Sequence, residues 1–156
     1  MKGDINMGNK RAGIIIRKYG TNLILLEQGW GKSLPGTIYD IPKGHWEPGE
    51  LLEDTAIREA KEEAGIEVEQ NELTFLGEFP YGKGDTLALF YCEKKFELED
   101  CKCSSYFENQ YGKEVPEVVA YKLYDFVNDE LEDSHIYKSL QGILERVFMV
   151  LQRYQK

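Results

Sequence analysis

The segment GHWEPGELLEDTAIREAKEEAGI, residues 44–66, changes character at its middle. Residues 44–50 hold two glycines and a proline and have no apolar period, which is loop chemistry. Residues 51–64 have helical periodicity, and Gly65 follows where a left-handed residue closes a helix. On that predicted helix Ala56, Ile57, Ala60 and Ala64 form an apolar stripe. Glu59, Glu62 and Glu63, at i, i+3 and i+4, form a separate acidic stripe. Three carboxylates so placed weaken a bare helix. Like charges at i, i+4 cost about 0.2–0.5 kcal/mol per pair, and the helix dipole disfavours anions near the C-terminus. A hard divalent cation removes both penalties, and oxygen ligands leaving room for phosphate oxygens suit magnesium. A solvated acidic face is the plain alternative.

The spacing decides between them. Gly44, Glu50, Arg58, Glu59, Ala60, Glu62, Glu63, Gly65 and Ile66 fill every specified position of G-x5-E-x7-R-E-U-x-E-E-x-G-U, where U is aliphatic. This box resembles the signature of the Nudix hydrolases. The resemblance implies an α/β fold, an α/β/α sandwich with a mixed β-sheet between the box helix and a long C-terminal helix. It also implies hydrolysis of a pyrophosphate bond in a nucleoside diphosphate linked to another moiety, with Mg2+ as cofactor and Mn2+ as a substitute.

On this resemblance Glu59, Glu62 and Glu63 are the expected metal ligands, with the Lys43 carbonyl completing one shell. Arg58 is expected to orient a catalytic glutamate, although a simple i, i+4 pair with Glu62 would also explain it. Glu59 is the first choice of general base, with Glu108, Glu114 and Glu117 outside the box as alternatives. Gly44 and Gly65 are expected to be structural, Gly44 for a tight loop, and Glu50 to be structural or weakly linked to the metal.

The flanking PKGHWEPGE, residues 42–50, is similar to the corresponding stretch of asymmetric diadenosine tetraphosphate hydrolases. That similarity implies that Lys43 and His45 hold outer phosphates, although a surface lysine and a turn-shaping histidine remain open. Tyr81, beside the turn Pro80–Asp85, and Tyr106, with Phe107 and Tyr111, are candidates to stack on a base, with packing as the alternative for each. The segment from Asp100 to Pro116 departs from those hydrolases. ADP-ribose, FAD- or NAD-type dinucleotides and capped RNA therefore compete as substrates, and a nucleotide sensor without turnover is an alternative of another class.

The rest of the chain supplies the frame. At 156 residues it reads as one domain, 1–156. The net charge of −9 argues against non-specific nucleic-acid or anionic-membrane binding. Neither a transmembrane run nor a signal-peptide core is visible, so a cytoplasmic location is expected. The partner expected is a nucleotide-derived small molecule, and a homodimer is compatible with this reading. Cys92, Cys101 and Cys103 show neither a disulfide framework nor four ligands at zinc spacing.

AGIIIR (12–17) and NLILLE (22–27) read as a hairpin, followed by a glycine-rich loop carrying Trp30 and a short strand at 37–41. Strands are predicted at 72–79, 86–93 and 117–124, with 95–98 as an extension or a separate pairing and 100–116 irregular. A long helix is predicted from about Ser134, capped by Ser134 or Asp133.

Overall fold

The computed structural model describes residues 9–31 and 38–154. The strands are β1 (Lys10–Lys18), β2 (Leu23–Gly29), β3 (Tyr39–Asp40), β4 (Lys43–His45), β5 (Thr74–Tyr81), β6 (Asp85–Lys94), β7 (Tyr106–Glu108), β8 (Glu114–Pro116) and β9 (Val118–Asp125). The helices are α1 (Leu52–Ala64) and α2 (Lys138–Arg153). Seven strands form one mixed sheet in the order β3-β2-β1-β6-β5, with β4 on β1 and β9 on β2. β1 and β6 run parallel, and the other pairs are antiparallel.

Strand alternation sorts the core into two layers. Ala12, Ile14, Ile16 and Leu25 face α1 and pack with Ala56, Ala60 and Ala64. Ile15, Ile24 and Leu26 face α2 and pack with Leu140, Ile143, Leu144, Val147 and Leu151. The alanine stripe is fully buried, so α1 lies close on the sheet. Arg17 sits at the α2 side, 1% exposed, with Nη1 donating to the Tyr91 hydroxyl and the Leu151 carbonyl, both at 3.1 Å.

β1 and β2 pair at their hairpin, Arg17 opposite Ile24, and then separate. β4 takes the freed edge of β1 at Arg11–Gly13, while β3 and β9 take the two edges of β2. The cleft described below is lined from both sides of this separation.

Four expectations are corrected. Residues 95–98 add no strand; the chain leaves the sheet after Lys94 and forms a 3-10 turn at Leu98–Asp100. The segment 100–116 is not wholly irregular, since β7 and β8 form a separate hairpin. Three-residue strands carry no readable alternation. The turn is instead closed by Asn109, whose side chain accepts from the amides of Tyr111 and Lys113 at 2.9 and 3.0 Å.

The C-terminal helix begins later than expected, and its N-cap is Tyr137, without a side-chain cap. Residues 135–137 lie along β3 instead. The Tyr39 amide donates to the His135 carbonyl at 2.7 Å, and the Tyr137 amide to the Tyr39 carbonyl at 2.9 Å. Gly44, finally, belongs to β4 rather than a tight loop. The strand expected at 37–41 is observed as Tyr39–Asp40, and Thr37 lies outside the described residues.

Candidate active site

The acidic stripe of α1 divides once the helix docks. Glu59 and Glu63 are 8% and 9% exposed, whereas the Glu62 side chain remains 42% exposed. Glu59 lies against Gly44, where a Cβ would overlap all three of its carboxyl atoms. Glu63 receives the Lys43 amide at 3.2 Å. Burial, reinforced by the Glu63 charge, pushes the Glu59 carboxyl up to about 8. Burial together with contact to Glu27 pushes Glu63 up to about 10. Arg58 at Glu59 and Lys43 near Glu63 pull the other way without offsetting the burial.

Arg58 and Glu50 fix the loop before the helix. Arg58 donates through Nε and Nη2 to the two Glu50 oxygens at 2.9 and 3.0 Å, and through Nη1 to Glu59 at 2.9 Å. Its separation from Glu62 is 3.8 Å, so the simple i, i+4 pair is the weakest of its contacts. Glu50 also accepts the Thr55 hydroxyl at 2.7 Å and the Glu47 amide at 3.2 Å. Arg58, above all, holds its carboxyl down at about 2. Glu50 is thus fully engaged by protein donors.

A cavity of about 310 Å³ opens beside this row. Arg11, Glu27, Asp40, Lys43, Glu63 and Tyr81 are among its lining residues. Lys43 Nζ stands 3.8 Å from Asp40. Burial opposes the lysine charge, but Asp40, Glu63 and Glu27 outweigh it and raise its pKa. Arg11 is held by Asp85 at 2.8 and 3.0 Å and lies 5.5 Å from the Tyr81 ring centroid. Glu27 is 5% exposed, touches Glu63, and leaves its Oε2 without a hydrogen-bond partner. A buried carboxylate oxygen so placed costs about 1–3 kcal/mol. Burial pushes Glu27 up to about 7.

The structure brings Lys43, Gly44, Glu59 and Glu63 together, with Arg58 and Glu50 directly behind. His45 stands exposed at the end of β4, its carbonyl accepting from Arg58 at 3.4 Å. Gly65, at φ 73°, closes α1 as expected. Tyr81 lines the cavity but is corrected as a stacking platform. It is 5% exposed, donates its hydroxyl to Asp40, and packs between Arg11 and the Tyr137 ring.

Tyr106 is 55% exposed on the β7–β8 hairpin, outside the described cavity lining. Beside it Phe107 meets Trp30 edge-to-face at 5.9 Å. Of the alternative acids, Glu117 lines the cavity, and its side chain accepts the Ser105 hydroxyl at 2.8 Å. Glu108 and Glu114 face each other as an exposed pair on the hairpin. Arg11, Glu27 and Asp40 were not singled out from sequence. Glu27 alone had a readable signal, a charge two residues beyond Leu25 on the buried face of NLILLE.

The donor set fits a divalent cation of the magnesium kind. Among the described residues no three His, Cys, Asp or Glu side chains close into a ready-made cage. A few carboxylates completed by water and phosphate oxygens suit magnesium better than such a cage would. The orphaned Glu27 oxygen and the Glu59 carboxyl cradled at Gly44 flank Glu63 on this row.

Comparison with known proteins agrees with this architecture. The NUDIX domain model matches residues 7–134. An uncharacterised 17.7 kDa protein from the e–segB intergenic region of Enterobacteria phage T4 is 36% identical over 128 residues, covering 77% of this chain and 84% of its own length. Among solved structures, an Ap4A hydrolase of C. elegans superposes with a TM-score of 0.62 at 23% identity, covering 92% of this chain and 99% of that one. A MutT protein of Methanosarcina mazei Go1 gives 0.63 at 18% identity, covering 94% of each. Those two structures share the fold. With the family model spanning most of its length and the box complete, the chain belongs to the Nudix family and is a Nudix pyrophosphohydrolase.

Proposed function

We propose that the protein hydrolyses a dinucleoside polyphosphate, diadenosine tetraphosphate foremost, using Mg2+ with Mn2+ as a substitute. The observation that carries this reading is one cleft lined by the buried carboxyls Glu27 and Glu63 together with the cations Arg11 and Lys43. A polyphosphate needs both, because bare phosphates would be repelled by the carboxylates and the cations alone would leave the carboxylates uncompensated. The similarity of residues 42–50 to asymmetric diadenosine tetraphosphate hydrolases, and the fold shared with the C. elegans Ap4A hydrolase, support this substrate.

In this reading Glu59, Glu62, Glu63 and the Lys43 carbonyl hold the ion. When bound, the ion supplies Lewis-acid polarisation of the phosphate and lowers the pKa of the attacking water. Glu59 receives the proton of that water, and Arg58 keeps the Glu59 carboxylate aimed through its 2.9 Å hydrogen bond. The water oxygen bonds to phosphorus, the P–O bond to the bridging oxygen breaks, and that oxygen leaves on the other nucleotide. Lys43 and His45 hold the outer phosphates as donors. Tyr81 positions Asp40, and through it the Lys43 ammonium. The base lies toward the exposed aromatics Trp30, Tyr106 and Phe107.

The test is catalytic efficiency across diadenosine polyphosphates, ADP-ribose, dinucleotide cofactors and capped RNA, with products identified by mass spectrometry in heavy-oxygen water. AMP and ATP are expected from diadenosine tetraphosphate. ADP-ribose turned over a hundredfold more efficiently would overturn the substrate assignment. Binding without turnover of any member would make the protein a sensor.

A further inference from the structure

We infer that Glu27 is a further ligand of the divalent cation, making with Glu63 a position at the inner end of the carboxylate row. This rests on the reading of Glu59 and Glu63 as cation ligands.

Register places Glu27 there. Along β2, Leu25 and Glu27 share the face turned to α1, while Ile24 and Leu26 face α2. Leu25 packs with the alanine stripe, and Glu27, two residues further, reaches the C-terminal end of α1 beside Glu63. β2 is an inner strand here, with Glu27 opposite Asp40 on β3 and Tyr121 on β9. Pairing on both sides fixes the Glu27 backbone beside the cavity.

Its Oε2 is buried without a donor, and Glu27 is among the residues lining the cavity. Both cations of that cavity have other carboxylates, Arg11 with Asp85 at 2.8 Å and Lys43 with Asp40 at 3.8 Å. Glu63 lies between Glu59 on one side and Glu27 on the other. It is thus in contact with both carboxyls, and a divalent cation held at this end of the row would take oxygens from Glu63 and Glu27.

The competing explanation is that Glu27 only shares a proton with Glu63. Glu27→Gln separates the two, because the amide keeps the shape and can still donate to Glu63 but is a poor ligand. Mn2+ binding would be followed by electron paramagnetic resonance of the free ion, without substrate, for wild type, Glu27→Gln and Glu63→Gln. Melting in chelator would confirm that each variant is folded. Glu27→Gln is expected to lose one bound Mn2+ per chain or to bind at least tenfold more weakly. If Glu27→Gln binds as wild type does while Glu63→Gln has lost the ion, Glu27 is a proton-sharing neighbour and the box reading stands alone. If wild type itself takes up no Mn2+, both readings fall.

Discussion

Gly44 shows how one missing side chain can organise this site. Its Cα face is the wall against which the Glu59 carboxyl rests, and any Cβ would displace that group. Gly44→Ala is therefore expected to lower both kcat and Mn2+ affinity by at least tenfold. Overpacking of this kind costs about 1–3 kcal/mol of stability. Calorimetric Mn2+ titration beside a melting curve checks this, and unchanged affinity would show that Glu59 does not need its cradle.

Glu50 behaves differently, because its partners are all protein donors. Its folded pKa, about 2, lies below its ordinary value of 4.5. Its stabilisation is accordingly complete above the unfolded pKa and fades as pH falls from near 5 toward 2. The full shift would correspond to about 3 kcal/mol, and screening at this partly exposed side chain reduces it to about 1–2 kcal/mol. Glu50→Gln should melt about 2–8 °C lower than wild type at pH 7. At pH 3 the gap should narrow. A gap that widens on acidification would contradict the Arg58 clamp.

At the scale of elements, α1 is fixed at its C-terminal end by segments distant in sequence. Its last turn has carbonyls that no intrahelical amide can reach. Gly65 and Ile66 close the turn by donating to Lys61 and Ala60 at 2.9 and 3.4 Å. The carbonyls of Glu62 and Ala64 accept the amides of Ser104 and Lys102 at 2.8 and 3.2 Å, and the Glu63 carbonyl accepts the Tyr121 hydroxyl at 2.5 Å. The segment after residue 100 is thus a brace for α1 as well as the root of the β7–β8 hairpin. Tyr121→Phe removes one of these bonds, which is worth about 0.5–1.5 kcal/mol. Thermal denaturation should shift down by roughly 1–6 °C. An unshifted transition would mean that the Glu63 carbonyl finds another donor at no cost.

For the whole molecule, the two faces of the sheet have separate tasks. The α2 face carries the larger apolar cluster, and the α1 face carries a smaller, alanine-lined cluster ending in carboxylates. No helix among the described residues is long and apolar enough to cross a membrane. In the proposed reading a bound cation offsets the burial of the Glu59 and Glu63 carboxyls and so stabilises the folded state. Magnesium at a hundred times its dissociation constant should add about 2.7 kcal/mol, a rise in melting temperature of roughly 5–11 °C for a domain of this size. Scanning calorimetry in chelator and in magnesium measures this, and coincident curves would argue that the row binds no ion.

The box, its helix, the Gly65 stop and the places of the main strands along the chain were determined by sequence alone, because each rests on local spacing: helical period, strand alternation and a residue free to take positive φ. Tertiary structure decided what depends on approach between distant segments. It split the acidic stripe into the buried Glu59 and Glu63 and the half-buried Glu62, made Gly44 a contact surface rather than a turn, and set Arg11 and Tyr137 against the Tyr81 ring. It also brought Glu27, seventeen residues before Gly44, against Glu63, thirty-six residues beyond itself. No local period encodes that meeting; it exists because β1 and β2 separate and α1 lies close enough on alanines to reach the opening.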